Sequence, residues 1–366
     1  MSPTTPQTLK RLITLSRVIN SLAAVCLIAV GLFTYSPQVK AVSASPTPTV
    51  TTIDAQIATY TPTDTSIPSI TPSPTATFIP SPTTTFTPTF TPSDTPAPTQ
   101  TSEPQVVTFA VIGDFGMDNS AEADVAALIH GWQPDIIITV GDNNYPSGSA
   151  DTIDANIGKY FHDYIFPYTG SYGSGADVNR FFSTLGNHDW NTAGAQPYLD
   201  YFTLPGNERY YDFTWGSVHF FALDSCLPEP DGVKADSVQA AWLQQGLATS
   251  TSPWNVVYSH YPSYSSGYHG SVSWIQWPFA AWGADTVLAG HDHNYERLLV
   301  DGIPYFTNGL GGQTRYYFNP VPLRQSQFLY DANYGAMRVT ASETEMLFEF
   351  YNRLGELIDS YQMTKP

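Results

Sequence analysis

The chain has 366 residues, 42% hydrophobic and 14% aromatic, enough for one large or two modest domains with a true apolar core. Its 14 basic residues against 32 acidic ones give a net charge of −18, which repels a nucleic-acid backbone and excludes a basic nucleic-acid footprint. Only two cysteines occur, Cys26 and Cys226, so no disulfide scaffold supports the fold.

In chain order, Lys10, Arg11 and Arg17 precede an apolar run, Val18 to Tyr35. That is the pattern of an export signal, and its length also approaches that of a short uncleaved anchor with its basic end inside. Residues 1–44 are read as this signal peptide or membrane anchor, with cleavage options at Ala41 or Ala44. Either reading places the rest outside the cytoplasm, secreted or held on the outer face of the membrane. Membrane contact is expected only through this segment. Residues 42–104 hold 13 of the 30 prolines, are filled mostly with Ser and Thr, and contain no Lys or Arg. Proline removes backbone donors and fixes φ, so neither helix nor sheet propagates. Residues 45–104 are therefore expected to be a disordered Pro/Thr-rich stalk.

A folded domain is expected over residues 105–366. VVTFAVIG (106–113), DIIITVG (135–141) and RFFSTLG (180–186) read as buried strands, with a helix from Ser120 to Trp132 between the first two. Residues 210–225 read as two strands around Trp215-Gly216. A helix is expected over 235–247, a strand over 254–260, a helix over 273–282 and a strand over 285–290. From Tyr295 onward YERLLV, IPYFTNG, GAMRVTAS and EMLFEFYN alternate like antiparallel strands. β-α-β units followed by a β-rich end predict an α/β sandwich of two mixed β-sheets flanked by helices.

Polar residues gather where these strands end. Gly113-Asp114-Phe115-Gly116, Gly141-Asp142-Asn143-Asn144-Tyr145, Gly186-Asn187-His188-Asp189, Val257-Tyr258-Ser259-His260 and Gly290-His291-Asp292-His293 each follow a predicted strand. In an α/β sheet, ligands bind beyond the carboxyl ends of strands, and the glycines are expected to let the chain turn sharply there. Carboxylates, a phenol, an amide and imidazoles form a mixed oxygen and nitrogen donor set. Without thiolate it is unlike a structural zinc site, and with so many histidines it is unlike a calcium cage. Seven donors exceed the needs of one tetrahedral ion and suit two ions sharing a carboxylate. His130, His162 and His219 belong to no block and are read as structural.

GDFG, GDNNY, GNHD, VYSH and GHDH, in this order, resemble the signature of purple acid phosphatases in the calcineurin-like metallophosphoesterase superfamily. HYPSYSSGYHG (260–270) is similar to the segment after the fourth block of the small, single-domain, tartrate-resistant type, and adds His269. The resemblance implies a metallophosphoesterase-type sandwich and hydrolysis of phosphate monoesters at a binuclear centre through a metal-bound hydroxide. It also implies the roles. Asp114, Asp142, Tyr145 and His293 would hold Fe(III), while Asp142, Asn187, His260 and His291 would hold a divalent Fe, Zn or Mn. His188 and His269 would face the phosphate and the leaving group of a small phosphorylated substrate. Alternatives with the same ligands are a phosphodiesterase, a nucleotide phosphohydrolase or an iron-based redox role; a non-catalytic binding module on a stalk is a further one. The third block ends in Asp189, where larger plant members have Glu.

Overall fold

Val107–Ile112 is apolar at almost every position, and a strand that is apolar on both sides needs cover on both sides. The computed structural model, which describes residues 106–366, supplies that cover with two stacked sheets and outer helices; the expected targeting segment and stalk lie outside the described residues. Strands β1 (Val107–Ile112), β2 (Ile136–Thr139) and β3 (Phe181–Phe182) come first. Then follow β4 (Tyr211–Trp215), β5 (Val218–Ala222), β6 (Trp254–Tyr258), β7 (Thr286–Ala289), β8 (Tyr295–Val300), β9 (Ile303–Asn308) and β10 (Ser326–Tyr330). The chain ends with β11 (Gly335–Ala341), β12 (Glu345–Asn352) and β13 (Leu357–Thr364).

One sheet runs β13-β12-β11-β1-β2-β3 and the other β10-β8-β9-β7-β6-β5-β4. The centre of each is parallel, β1 with β2 and β5 with β6 with β7, and the C-terminal strands add antiparallel edges. Because parallel neighbours point the same way, their carboxyl ends finish side by side. This is what brings the loops after β1, β2, β3, β6 and β7 together.

Side-chain alternation distributes the core over two layers. Phe220 and Val256 point into the space between the sheets, while the adjacent Phe221 and Val257 pack under the helix Val238–Thr249 with Ala240 and Leu243. Aromatic rings join the sheets. Phe109 of β1 meets Phe220 of β5 edge-on at 5.0 Å, Tyr295 of β8 stacks on Phe350 of β12 at 4.1 Å, and Phe306 of β9 stacks on Phe348 of β12 at 4.7 Å. The helix Ser120–Trp132 starts where Asn119 Oδ1 accepts the Glu122 N–H at 2.9 Å.

The two-sheet α/β expectation holds, with local corrections. The strand expected over 180–186 has only two residues in register; beyond Phe182 the chain leaves the sheet to deliver Asn187 and His188. The helix expected over 273–282 is a 3₁₀ turn at Ser273–Ile275 and one helical turn at Phe279–Trp282, separated around Pro278, whose missing N–H interrupts a continuous ladder. The segment Leu310–Gln325, for which the sequence predicts no element, is an irregular loop that returns toward the strand ends, and β10 and β13 are not among the expected strands.

Phe109→Ala should lower the unfolding free energy by about 3–5 kcal/mol, since it opens the seam between the sheets. Chemical denaturation followed by tryptophan fluorescence would measure this, and a loss within error of zero would show that the seam does not hold the sheets together.

Candidate metal centre

The loop after β1 carries Asp114 and the loop after β2 carries Asp142 and Tyr145, all essentially buried. The Tyr145 hydroxyl lies 2.9 Å from Asp142 Oδ2 and 3.3 Å from Asp114 Oδ1. His293, from the loop after β7, brings Nε2 to 3.3 Å from Asp114 Oδ1 and from the Tyr145 oxygen. On the other side of Asp142, His260 Nε2 stands 3.4 Å from Asp142 Oδ1 and 3.0 Å from Asn187 Oδ1. The His291 ring lies 5.1 Å from that of His260, centroid to centroid. All seven residues expected as ligands thus converge, and the donor atoms of Asp114, Asp142 and His260 by themselves lie within 4.8 Å of one another, close enough to hold an ion.

Each loop is fixed by another loop of the site. Asp114 Oδ2 accepts from the His291 N–H at 2.9 Å and its Oδ1 turns inward; Asp142 Oδ1 accepts from the His188 N–H at 2.8 Å and its Oδ2 turns toward Tyr145. Asp189 accepts from the Gly186 N–H at 2.8 Å and from Asn143 Nδ2 at 2.9 Å, tying the second loop to the third. Asp292 fastens the segment with His269, accepting from the His269 N–H at 2.7 Å and the Ser265 hydroxyl at 2.5 Å.

The sharp turns follow the expectation only in part: Gly141 turns at φ 84°, while the other block glycines do not adopt positive φ. Asp114, Asp142 and His291 themselves adopt positive φ, at 53°, 51° and 69°, each a conformation that non-glycine residues enter at a cost. Gly186 is needed for close approach instead: a Cβ there would come within 2.1 Å of the Asp142 nitrogen.

The donor set fits a cation. His260 donates its Nδ1–H to the Val140 carbonyl and His293 its Nδ1–H to the Thr314 carbonyl, which leaves each Nε2 facing oxygen acceptors. Among the described residues neither Asp114 nor Asp142 pairs with a lysine or arginine; their ion-pair partners are histidines. Burial alone would raise the Asp114 carboxyl, but the His293 hydrogen bond and the charges of His293, His260 and His291 hold it below its ordinary value. Burial, with His260 next, drives His291 down to about 2, so its imidazole is neutral and free to coordinate. Burial, then Asp142 and Asp114, push the Tyr145 phenol well up, so its conversion to phenolate requires a strong Lewis acid beside it.

The calcineurin-like phosphoesterase model matches residues 107–295, about half of the chain and all five strand-end loops. The chain belongs to this family. It is accordingly a metal-dependent hydrolase of phosphoric esters. It is 26% identical over 302 residues to purple acid phosphatase 17 of Arabidopsis thaliana, covering 71% of this chain and 85% of that one. To the tartrate-resistant acid phosphatase type 5 of Homo sapiens it is 26% identical over 295 residues, covering 68% and 88%. In fold it is similar to a purple acid phosphatase from yellow lupin, with a TM-score of 0.58 at 18% identity over 72% of this chain and 54% of that one. An anchor protein of the inner membrane complex of Plasmodium is also similar in fold, with a TM-score of 0.56 at 20% identity over 71% and 89%.

In this calcineurin-like phosphoesterase the expected substrate-facing histidines flank the donor set. The His188 ring packs at 4.3 Å on Tyr145, with Nδ1 bound to the Pro146 carbonyl at 2.6 Å and Nε2 3.9 Å from Asp142. The exposed His269 ring lies at 4.3 Å from His291 on the other flank. Sequence reading overlooked Asp292 and Tyr316. Asp292 had a signal, its place between two histidines of one block. Tyr316, whose ring stacks on His293 at 4.2 Å, had none, because it lies between expected strands and in no block.

Gly186→Ala should retain the circular dichroism of the folded protein but lose bound metal, because the added methyl displaces Asp142. Elemental analysis of the purified variant checks this; wild-type metal content would refute the close-approach argument.

Proposed function

We propose that the protein hydrolyses phosphate monoesters at a binuclear centre of Fe(III) and a divalent ion. Asp114, Asp142, Tyr145 and His293 would hold the ferric ion, and Asp142, Asn187, His260 and His291 the divalent one. The observation that carries this reading is the position of Asp142: Oδ2 faces the phenol-containing set and Oδ1 faces the amide and imidazole set. The first set has two carboxylates and a phenol, the hard donors that suit a trivalent cation. When bound, the ions acidify water and offset the charge of the phosphate.

The chain's own groups have distinct tasks. His188 gives its Nδ1–H to the Pro146 carbonyl, so its Nε2 donates to a phosphate oxygen only when the ring carries a second proton. His269 has no ring hydrogen bond among the described residues and is exposed. Its proton is free to pass to the departing alkoxide, with His269 as general acid. Asp292 positions it through the backbone. The small phosphorylated substrate would reach this site from outside the cytoplasm, a placement resting on the N-terminal sequence pattern, with the stalk as spacer.

Purified protein should show a broad visible charge-transfer band from Tyr145 on Fe(III), and Tyr145→Phe should bleach it. A colourless wild type with full iron occupancy would overturn the ligand role of Tyr145. A histidine series separates the remaining roles. His260→Ala, His291→Ala and His293→Ala should lose metal and activity together. His188→Ala and His269→Ala should keep metal yet slow turnover by roughly 10²–10⁴-fold, with an alkyl phosphate affected more than an activated aryl phosphate. Equal metal loss across all five variants would abolish the distinction.

A further inference from the structure

The flank of the site beside His269 is walled by tyrosine. Tyr316 stacks on His293 with centroids 4.2 Å apart and planes 10° from parallel, and meets His269 edge-on at 5.3 Å. Tyr268 completes the corner, 5.4 Å from Tyr316 and 5.1 Å from His269, with 69% of its surface exposed. Neither tyrosine joins the apolar clusters of the fold, and neither hydroxyl has a hydrogen-bond partner among the described residues. Packing therefore does not account for them.

The two loops that carry these rings are locked to each other and to the sheet. Asp292 holds the Ser265 hydroxyl and the N–H groups of His269 and Gly270. Glu296, buried on β8, accepts from the Ser266 N–H and hydroxyl, both at 2.6 Å. From the Tyr316 loop, the Asn319 N–H donates to the Ser266 carbonyl at 2.9 Å and Asn319 Nδ2 to the Gly267 carbonyl at 2.5 Å. The Leu323 N–H reaches the Ser266 hydroxyl at 2.9 Å. A partly exposed aromatic wall that is fixed before anything binds loses little conformational entropy when a flat group lands on it.

We infer that Tyr316 and Tyr268 are specificity-determining residues, a ledge that stacks the leaving group and favours phosphate esters of aromatic alcohols over those of aliphatic ones. The inference rests on the monoester reading above, because it requires phosphate at the centre and departure of the alcohol toward His269. An aryl ring leaving in that direction lies against the tyrosine pair, where offset or edge-on contact adds to the area it buries.

Binding of hydrolysis-resistant phosphonates to the metal-loaded full chain tests this without any contribution from leaving-group acidity. Benzylphosphonate and cyclohexylmethylphosphonate carry the same charge and nearly the same volume, and calorimetry gives their affinities beside that of inorganic phosphate. Benzylphosphonate should bind more tightly by roughly twofold to tenfold, the range of an aromatic pair. Tyr268→Ala and Tyr316→Leu should each reduce that preference while inorganic phosphate still binds. Tyr268→Ala is the cleaner variant because the ring is exposed. Equal affinities in the wild type, with phosphate bound, would overturn the ledge alone, as would an undiminished preference in both variants. Tighter binding of a trimethylammonioethyl phosphonate than of benzylphosphonate would assign the rings to a cationic leaving group instead. Failure of inorganic phosphate to bind would overturn the monoester reading and the ledge with it.

Discussion

Two carboxylates, Asp114 and Asp142, are buried within reach of one phenol and two imidazole nitrogens, with no lysine or arginine paired to either among the described residues. Burying uncompensated charge is costly, and proteins avoid it unless the charge is paired or coordinates a metal. Much else in the domain follows from this constraint. The parallel centres of both sheets bring five loops to one edge, so that acids from one sheet meet histidines from the other. The aromatic seam, Phe109 on Phe220 and Phe306 on Phe348, holds the sheets at the separation that this meeting needs.

The strain at the site has a local explanation. Positive φ at Asp114, Asp142 and His291 costs about 1–3 kcal/mol each. It is maintained because each of these residues is held from more than one direction. The Asp114 N–H donates to Gly141, its carboxylate receives the His291 N–H, and its chain continues into a strongly packed Phe115. Reciprocal latches of this kind fix side-chain direction more tightly than a rotamer preference does, and a metal site needs such precision.

Much of this was legible in the sequence because each ligand-bearing block follows an apolar strand, and the periodicity of those strands is a strong signal. The layered α/β class and the helix at Ser120–Trp132 were readable for the same reason. The convergence of Asp114, Asp142, Tyr145, Asn187, His260, His291 and His293 was also readable, since strand ends in a parallel sheet share an edge. The Leu310–Gln325 loop was not legible. It lies between the expected strands, carries Gly311-Gly312, Pro320 and Pro322, and nothing local reveals that Thr314 offers its carbonyl to His293 or that Tyr316 covers that ring. The 273–282 stretch misled in the opposite sense: apolar spacing resembled a helix, but Pro278 limits what the backbone can do. Asp189 and Asp292 look like ordinary members of their blocks, and nothing in the blocks reveals that Asp189 accepts from the Asn143 N–H and Asp292 from the N–H groups of His269 and Gly270.

The histidines outside the site clarify what distinguishes those within it. His219 uses both nitrogens on protein partners, Nε2 on Asp212 at 2.8 Å and Nδ1 with the Ser250 hydroxyl at 3.0 Å. His130 binds the Tyr160 carbonyl at 2.7 Å with its other nitrogen 3.7 Å from Asp163, and His162 binds the Gly158 carbonyl at 2.9 Å. Anchoring one nitrogen to a carbonyl is therefore common to structural and functional histidines here. What sets His260 and His293 apart is the second nitrogen, which the anchor leaves without a proton in the neutral ring and which nonetheless faces carboxylate, amide or phenol oxygens. A lone pair aimed at other lone pairs is a repulsive arrangement unless a proton or a cation lies between them. Protonation of one ring relieves one contact, but His260 faces Asp142 while His293 faces Asp114 and the Tyr145 oxygen, so charge is needed at two places. That separation of the two faces, more than the number of histidines, is what supports the proposal of two ions rather than one.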